Sequence, residues 1–314
     1  MSSSNDTAAA FPSNYPLGRN TLASVRLNLQ HLLWTTGNPS LLHHSIPLPS
    51  EPRTPSEAEP FLIADVGTGT GIWSTSLSLS GMLPSQARIE GFDIDLAQTP
   101  PKAWTPANVS WRTLDILKEP STADGSLSLV GRFDVVHVRL LMLIVQNGDP
   151  MPLLRRLMAL VKPGGYLHWQ EYDLLSQKLV VAGKQDLTPE EAMHASPMLE
   201  RMRKAISQSV DVYRTHAWVQ KVHERLDEVG GELVAHERAW THPSALPVKQ
   251  ETTFLVMREW CAGVRSHGEK GREEADELEQ LCDDAEEECW RSRRSTVIDT
   301  QMVTWVVKKK AAAL

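Results

Sequence analysis

The chain has 314 residues, of which 41% are hydrophobic and 23% charged, and its formal net charge at pH 7 is −7. This composition excludes a wholly disordered chain, and the negative charge argues against a broad nucleic-acid-binding face. No run of about 18 uncharged apolar residues occurs, so we expect no membrane-spanning helix. The N-terminus lacks the pattern of a secretory signal, and three cysteines are too few for a disulfide framework. These features predict a cytoplasmic protein.

The first 60 residues divide into a tail, a helix and a linker. Residues 1–14 are rich in Ser, Asn and Ala, and we expect them to be disordered. Apolar residues recur at helical spacing between residues 22 and 34, which predicts an amphipathic helix within an N-terminal cap at 15–60. Five prolines between Pro47 and Pro60 exclude a helix or a central strand there, so this part of the cap is predicted to be a linker.

Short apolar runs alternate with helical patterns from residue 61 onward, which is typical of βαβ units around a mostly parallel sheet. We predict one domain over 61–310, with helical insertions at about 185–230 and 250–295 that cap the substrate. Residues 311–314 resemble a vector-derived linker. The predicted strands are 61–66, 87–94, 109–114, 133–138, 166–170, 232–239 and 301–307. The predicted helices are 72–82, 151–161, 189–229 and further helices across 252–294.

A glycine-rich loop lies directly between the first of these strands and the helix that follows it. The loop reads DVGTGTG over residues 65–71, and glycines at every second position let a ligand contact bare backbone amides. The helix N-terminus behind the loop offers unpaired N–H groups to an anion. Dinucleotide-binding loops have the spacing G-x-G-x-x-G. The observed G-x-G-x-G spacing instead favours S-adenosylmethionine (SAM), with these candidate contacts: Asp65, Gly67, Thr68, Gly69 and Gly71.

Two more acids follow the next two predicted strands. Asp93 ends the second strand, where ribose hydroxyls need an acceptor, and a carboxylate there would repel a 2′-phosphate. Asp115 follows the third strand and is suitably placed to accept from an adenine amino group. Ile94 and Ile116 come directly after these acids and complete the set of candidate cofactor contacts.

The sequence resembles the class I SAM-dependent methyltransferases of fungal secondary metabolism, the LaeA-like or UMTA-type group. The resemblance covers roughly residues 15–175 and is carried by YPLGR (15–19), RLNLQH (26–31), LLH (41–43), DVGTGTGIW (65–73), GFDI (91–94), FDVVHVR (133–139), DP (149–150) and KPGGYLHWQE (162–171). It implies an α/β, Rossmann-like fold with a seven-stranded, mostly parallel sheet, a helical N-terminal cap and helical insertions.

The same resemblance implies roles for individual residues. The glycine loop with Asp65 would hold the methionine part of SAM, Asp93 the ribose and Asp115 the adenine. Val138, at the end of the fourth strand, would contact the cofactor through its backbone. Arg26 would pair with the cofactor carboxylate from the N-terminal helix, and a plain surface arginine is the equally open alternative.

The catalytic group is less constrained by the sequence. Methyl transfer from a sulfonium depends mainly on alignment, although a hydroxyl acceptor usually needs a base. His137 and Glu171 lie near the carboxyl ends of predicted strands, and His31 reaches in from the N-terminal helix. Structural roles stay open for these three candidates, such as a histidine packed under a crossover helix or a helix-capping acid. The histidines show no metal-ligand spacing, so we predict no metal site.

The predicted function is methyl transfer from SAM to O, N or S of a small natural product, with S-adenosylhomocysteine (SAH) as the product. A methyltransferase-like cyclase or pericyclase that keeps SAM without transferring methyl is the first alternative. A LaeA-like regulator that docks partners on the acidic helix at 269–288 is the second, and an NAD-dependent oxidoreductase is disfavoured by the glycine spacing. We predict a small-molecule substrate and no nucleic-acid or membrane partner, and self-association stays open.

Overall fold

The computed structural model describes residues 17–37, 40–51, 60–184, 187–209, 216–266 and 268–311. The predicted disordered tail, most of the proline-rich segment and the last three residues lie outside this part of the chain. The predicted domain boundaries therefore stay predictions. No helix in the described ranges is long and apolar enough to cross a membrane.

Seven strands of the described residues form one sheet in the order β3-β2-β1-β4-β5-β7-β6. Strand β7 runs antiparallel to both of its neighbours, and the other adjacent strands pair in parallel. This arrangement confirms the predicted seven-stranded, mostly parallel α/β sheet. The strands are β1 (Phe61–Val66), β2 (Ala87–Asp93), β3 (Val109–Thr113), β4 (Phe133–Arg139), β5 (Val161–Val181), β6 (Gly231–Ala239) and β7 (Thr296–Lys309).

Strand β5 is far longer than the five residues that the sequence predicts. The strand has 21 residues, and its residues 166–173 and 178–181 pair with β7, with a register shift between Asp173 and Lys178. The polar residues in its second half give no clear strand pattern. The pairing with β7, more than a hundred residues later in the chain, supplies the hydrogen bonds that keep this half extended.

Seven α-helices lie in the described ranges, and the predicted helix at 189–229 is wrong in its last part. The described chain between Ala217 and Val229 forms 3₁₀ turns that pack Trp218, Val222 and Leu226 against the sheet. A spacing of three to four residues does not separate the two helix types. The helices are α1 (Thr21–Thr35), α2 (Ile72–Leu79), α3 (Met151–Leu160), α4 (Pro189–Ala195), α5 (Pro197–Ser209), α6 (Leu246–Arg265) and α7 (Gly268–Arg291).

The two faces of the central strands differ in chemistry. On one face, Trp169 and Trp305 pack with Trp218 in a dry core that also contains the leucines of α3. On the other face, Asp65, His137 and His168 stand side by side, because they are in register on β1, β4 and β5. Side chains alternate along a strand, so the polar set shares one face throughout.

Helix α1 covers the polar face at the carboxyl ends of the parallel strands. Its first turn is capped by Asn20, whose side-chain oxygen accepts a hydrogen bond from the Ala23 N–H at 3.0 Å. Ala23, Arg26, Gln30 and Leu33 are buried at helical spacing. With His31, the buried side of α1 therefore carries three polar side chains that need partners, and α6 supplies a partner for Arg26.

Candidate active site

A cavity of about 1080 Å³ lies between the polar face of the sheet, α1 and α6. Its wall includes the glycine loop at one end and residues of β5, β7 and α6 at the other. A site for one small ligand usually occupies ~300–1,000 Å³. The cavity is thus large enough to hold a nucleoside cofactor and a second molecule together.

Asp65 organises the glycine loop from below. Its carboxylate is buried and accepts hydrogen bonds from the hydroxyls of Thr68 and Ser74, both at 2.7 Å. Burial raises the pKa of Asp65, and these two hydrogen bonds oppose that rise. The N–H groups of Gly67 and Thr68 donate to the Phe92 carbonyl oxygen at 2.8 and 2.9 Å, which fastens the loop to β2.

The last glycine of the loop is required by its surroundings. Gly71 has φ +70°, and a Cβ atom there would lie 2.5 Å from the Trp111 ring. That ring is anchored by the hydrogen bond from Trp111 Nε1 to Thr105 Oγ1 at 3.0 Å, so it has little freedom to move. Gly67 and Gly69 also have positive φ angles. The loop thus presents a backbone conformation that side chains disfavour.

The predicted strand-end residues meet on the cavity wall. Asp93 accepts a hydrogen bond from the Gly69 N–H at 2.9 Å, and Asp115 accepts one from the Leu117 N–H at 3.1 Å. Ile94 and Ile116 line the same part of the wall. The structure therefore brings the loop and both acids together around one space, with apolar side chains between them.

Arg26 does not have the free guanidinium that a cofactor carboxylate would require. Its Nε and Nη2 donate to Glu259 at 2.8 and 3.3 Å, and its Nη1 donates to Gln30 Oε1 at 2.8 Å. Arg26 and Glu259 are each only 4% exposed. This pair fastens α1 to α6, and no local pattern predicts it because its members lie 233 residues apart.

Val138 is predicted to contact the cofactor through its backbone, and this contact stays a prediction. Its side chain is fully buried in the core, while its neighbours His137 and Arg139 line the cavity. Its backbone is flanked by β1 on one side and β5 on the other, in register with Val66 and Trp169. The cavity wall at this strand is made by the residues on either side of Val138.

His137 lines the cavity but is held tightly. Its ring stacks on Trp73 with centroids 3.7 Å apart, and its Nδ1 lies 3.1 Å from His168 Nδ1. Burial and the neighbouring imidazole lower the pKa of His137 well below its ordinary value, and burial lowers that of His168 to about 3. Both rings are therefore neutral at pH 7, and His137 is a weak base there.

Glu171 faces away from the cavity, contrary to its predicted contact with substrate. It is fully buried, and its Oε1 accepts from the Leu141 N–H at 2.8 Å and from Trp169 Nε1 at 2.9 Å. Strand alternation puts it on the opposite face from Tyr172, the next residue. Burial raises the pKa of Glu171 to about 8. The hydrogen bond from the Leu141 N–H to Glu171 holds the segment after β4 in place, where Leu140 has a φ of +58°.

His31 lies behind the cavity wall, where it contacts Arg139. The distance from His31 Nδ1 to Arg139 Nη2 is 3.2 Å. Burial, followed by the field of Arg139, lowers the pKa of His31 to about 4, so the ring is neutral and its Nδ1 accepts from the guanidinium. The geometry makes His31 a support for Arg139 and gives it no direct place at the cavity surface.

Three further residues with polar groups line the cavity: Arg139, Tyr172 and Lys249. Lys249 begins a stripe on α6 that continues through Thr252, Val256 and Trp260, all of which line the cavity. This spacing is that of one helical face. A lysine and threonines on the buried face of an amphipathic helix are the signal that could have revealed this wall.

His43, His44 and Glu237 are close enough in space to share an ion. His43 Nδ1 accepts a hydrogen bond from the Ser45 N–H at 3.2 Å, and its Nε2 lies 2.9 Å from Glu237 Oε1. This pattern puts the proton of a neutral imidazole on Nε2, which has no hydrogen bond of good geometry among the described residues. The prediction of no metal site stays a prediction.

The sheet order, the glycine loop and the strand-end acids together define a class I SAM-dependent methyltransferase. The sequence profile of the family described as "Methyltransferase domain" matches residues 57–242. The chain belongs to this family. It is a SAM-dependent enzyme, which confirms the cofactor and the enzyme class expected from the sequence.

Several fungal proteins are similar to the chain. Methyltransferase grgD of Penicillium sp is 30% identical over 217 residues, which cover 67% of this chain and 68% of that protein. N-methyltransferase tcpN of Claviceps purpurea (strain 20.1) is 30% identical over 48% of this chain and 49% of its own length. The secondary metabolism regulator LAE1 of Hypocrea atroviridis is 32% identical over 37% of this chain and 30% of its own length. These matches confirm the resemblance to the fungal group.

Proposed function

We propose that the enzyme transfers a methyl group from SAM to an oxygen, nitrogen or sulfur atom of a small natural product. One observation carries this proposal: a single cavity joins the glycine loop and its acids to a polar wall formed by Arg139, Tyr172 and Lys249. The names of the Penicillium and Claviceps relatives, a methyltransferase and an N-methyltransferase, support it.

The residues at the loop end of the cavity fit SAM. The bare backbone of Gly67 and Gly69 leaves room for the methionine part, while Asp65 and Thr68 keep the loop in shape. The Asp93 carboxylate would accept from the ribose hydroxyls. Asp115 would accept from the adenine amino group, with the ring between apolar side chains: Ile94, Leu114, Ile116 and Leu117.

Arg139 is the better candidate for the cofactor carboxylate than Arg26. Its guanidinium lines the cavity and is close enough to Asp65 for the two charges to influence each other. Burial lowers the pKa of Arg139 to about 10, and the group remains charged at pH 7. Arg26 is already neutralised by Glu259.

Bound SAM supplies an electrophilic methyl group on a sulfonium. The chain aligns the acceptor with this methyl group, and the Arg26–Glu259 pair keeps α1 and α6 closed over the cavity. The carboxylates on the described cavity wall, Asp65, Asp93 and Asp115, all lie at the cofactor end. Because His137 is a weak base, the cavity suits acceptors that need little base help, such as amines or oxygens already ionised.

Calorimetric titration with SAM, SAH and NAD tests the proposed use of the cavity. We expect SAM and SAH to bind and NAD to give no heat. Asp93→Ala removes a carboxylate that would accept two hydroxyls, so SAH affinity falls by roughly a hundredfold or more. Asp95→Ala is the matched control, because Asp95 does not line the cavity and contacts Arg19 at 3.9 Å.

A cavity that binds NAD and neither adenosyl-sulfur ligand contradicts the proposal. Equal SAH affinities for the Asp93 and Asp95 variants would refute the assignment of Asp93 alone. Incubation with methyl-labelled SAM and a panel of phenols, acids and amines then tests transfer, which we expect to be detected in the extracted small-molecule fraction.

A further inference from the structure

The end of the cavity away from the glycine loop contains a buried cation, Lys249, that forms no ion pair with any residue the structure describes. We propose that Lys249 and Tyr172 form a subsite for an anionic oxygen group on the methyl acceptor, a carboxylate or an ionised phenol. This inference rests on the proposed function, because the acceptor has to enter the cavity beside SAM.

Lys249 is placed at the cavity by both its helix and its contact with Tyr172. Its Nζ lies 3.9 Å from the centroid of the Tyr172 ring, and the residue is only 6% exposed. Thr252, Val256 and Trp260 follow on the same face of α6 and continue the cavity wall. The ammonium is therefore held against an aromatic face, where a cation is stabilised, with the cavity beside it.

The charge of Lys249 is not neutralised by an ion pair within the described part of the chain. The nearby acid is Asp299 of β7, whose Oδ1 accepts from the Thr241 hydroxyl at 2.7 Å and from the Thr300 N–H at 2.8 Å. Burial lowers the pKa of Lys249 to about 8, which Asp299 partly opposes. A buried, unpaired ammonium is costly, and an anionic ligand would remove that cost.

Arg26 provides an internal contrast for this argument. It is a buried cation on the same cavity wall, and α6 supplies Glu259 to pair with it. Lys249 sits on the same helix without such a partner. Among the described residues, Arg26 therefore has an ion-pair partner, whereas Lys249, which faces the acceptor end, has none.

Tyr172 forms the aromatic side of the subsite. Its ring faces the Lys249 ammonium, while its hydroxyl is directed toward Trp34, whose ring centroid lies 5.7 Å from that of Tyr172. Burial raises the pKa of Tyr172, and the charge of Arg139 on β4 partly opposes that rise. Apolar side chains of Met257, Trp260 and Ile298 line the adjoining wall and suit the hydrocarbon part of an organic acid.

The test is the binding of an acid and its neutral amide to enzyme saturated with SAH. The probes are 2-naphthoate and 2-naphthamide, which have the same ring and differ in charge. We expect the wild type to bind the acid at least about tenfold more tightly, as one charge-assisted hydrogen bond requires. Lys249→Met removes this preference, while Lys249→Arg and the exposed-site control Lys221→Met keep it.

These variants also separate an anion subsite from a general base. If Lys249 acted as a general base, Lys249→Arg would lose that function as fully as Lys249→Met, since arginine stays protonated. A wild type that shows no preference for the acid, or a Lys249→Met enzyme that keeps it, would overturn the proposal. SAH binding in each variant shows that the cofactor site is intact, so failure here is distinct from failure of the proposed function.

The pH dependence of naphthoate binding, measured first on the wild type, gives a second test of the subsite. The groups that face Lys249 are Tyr172 of β5, Asp299 of β7 and, beyond the tyrosine, Arg139 of β4. Because only the protonated amine pairs with an anion, naphthoate affinity should fall as the pH rises from about 7 to about 10. Lys249→Arg should show a flatter profile, and an identical fall in both proteins would contradict the assignment.

Discussion

The two ends of the cavity are built in different ways. At the cofactor end, the glycine loop follows β1, Asp93 is the last residue of β2 and Asp115 lies two residues after β3, and neighbouring strands bring them together. At the acceptor end, Tyr172 and Lys249 come from a strand and a helix that are far apart in the chain. A ligand site made of backbone turns is a local property, whereas a site made of side chains depends on how distant elements pack.

The Arg26–Glu259 ion pair, which fastens α1 to α6 over the cavity, gives the largest expected effect on stability. Glu259→Ala leaves Arg26 buried and unpaired, and we expect the free energy of unfolding to fall by about 3–5 kcal/mol. Glu251→Ala is the control on the same helix, because its pair with Arg294 is exposed and is worth at most about 1 kcal/mol. Urea denaturation measures both.

A double variant sharpens this test of the Arg26–Glu259 pair. Arg26→Met with Glu259→Met removes both charges, so it should be less destabilised than Glu259→Ala alone. If Glu251→Ala and Glu259→Ala prove equally stable, the Arg26–Glu259 pair does not fasten α1 to α6.

The most direct way to disrupt cofactor binding is to replace the last glycine of the loop. Gly71→Ala places a Cβ against the Trp111 ring and should weaken SAH binding by roughly tenfold to a hundredfold, as overpacking costs ~1–3 kcal/mol. Gly81→Ala has the same positive φ but open space around it. Gly81→Ala introduces the same backbone strain without the clash, so we expect its SAH affinity to equal that of the wild type. Similar losses in both variants would show that the strain, and not the contact, matters.

Glu171, buried on the face of the sheet away from the cavity, gives the stability of the fold a dependence on pH. Its pKa is about 8 in the folded chain, above its ordinary value of 4.5, so the folded state binds the proton more tightly than the unfolded state. The stability that protonated Glu171 confers is complete below about pH 4.5 and is lost as the pH rises toward 8, by at most about 1.4 kcal/mol per unit.

Glu171→Gln removes this pH dependence because glutamine does not ionise. We expect the variant to match the wild type near pH 5 and to exceed it progressively toward pH 8 in thermal denaturation. The exposed Glu232→Gln should follow the wild-type curve throughout. Parallel curves for wild type and Glu171→Gln would mean that Glu171 is ionised at neutral pH.

The smallest expected effect concerns the adenine contact. Asp115→Asn keeps the side-chain shape and removes the charge, so SAH affinity should fall by about threefold to tenfold, the value of one modest hydrogen bond. S-inosylhomocysteine has an acceptor oxygen in place of the adenine amino group, so the variant should bind it at least as tightly as the wild type does. An equal loss for both ligands would place Asp115 elsewhere in the cofactor contact.

The sequence predicts much of this fold and less of the site. Strands β1 to β4 begin at the predicted residues and end within one residue of them, because apolar runs bounded by turns are local signals. The sequence does not predict the second half of β5, since its extended conformation depends on pairing with β7. In the site, the loop, Asp93 and Asp115 reach the cavity wall as expected. Glu171 was assigned to the wrong face, although strand alternation from His137 and the register with His168 would have corrected it.

Sequence alone determined the sheet class, the glycine loop and the family, because turn geometry and strand periodicity are written in neighbouring residues. Only the tertiary structure decided which buried charges are satisfied. Arg26 is paired with Glu259, and Lys249 is left facing the cavity. The physical reason is that the energy of a buried charge depends on the groups around it in space, and those groups come from elements that are distant in the chain.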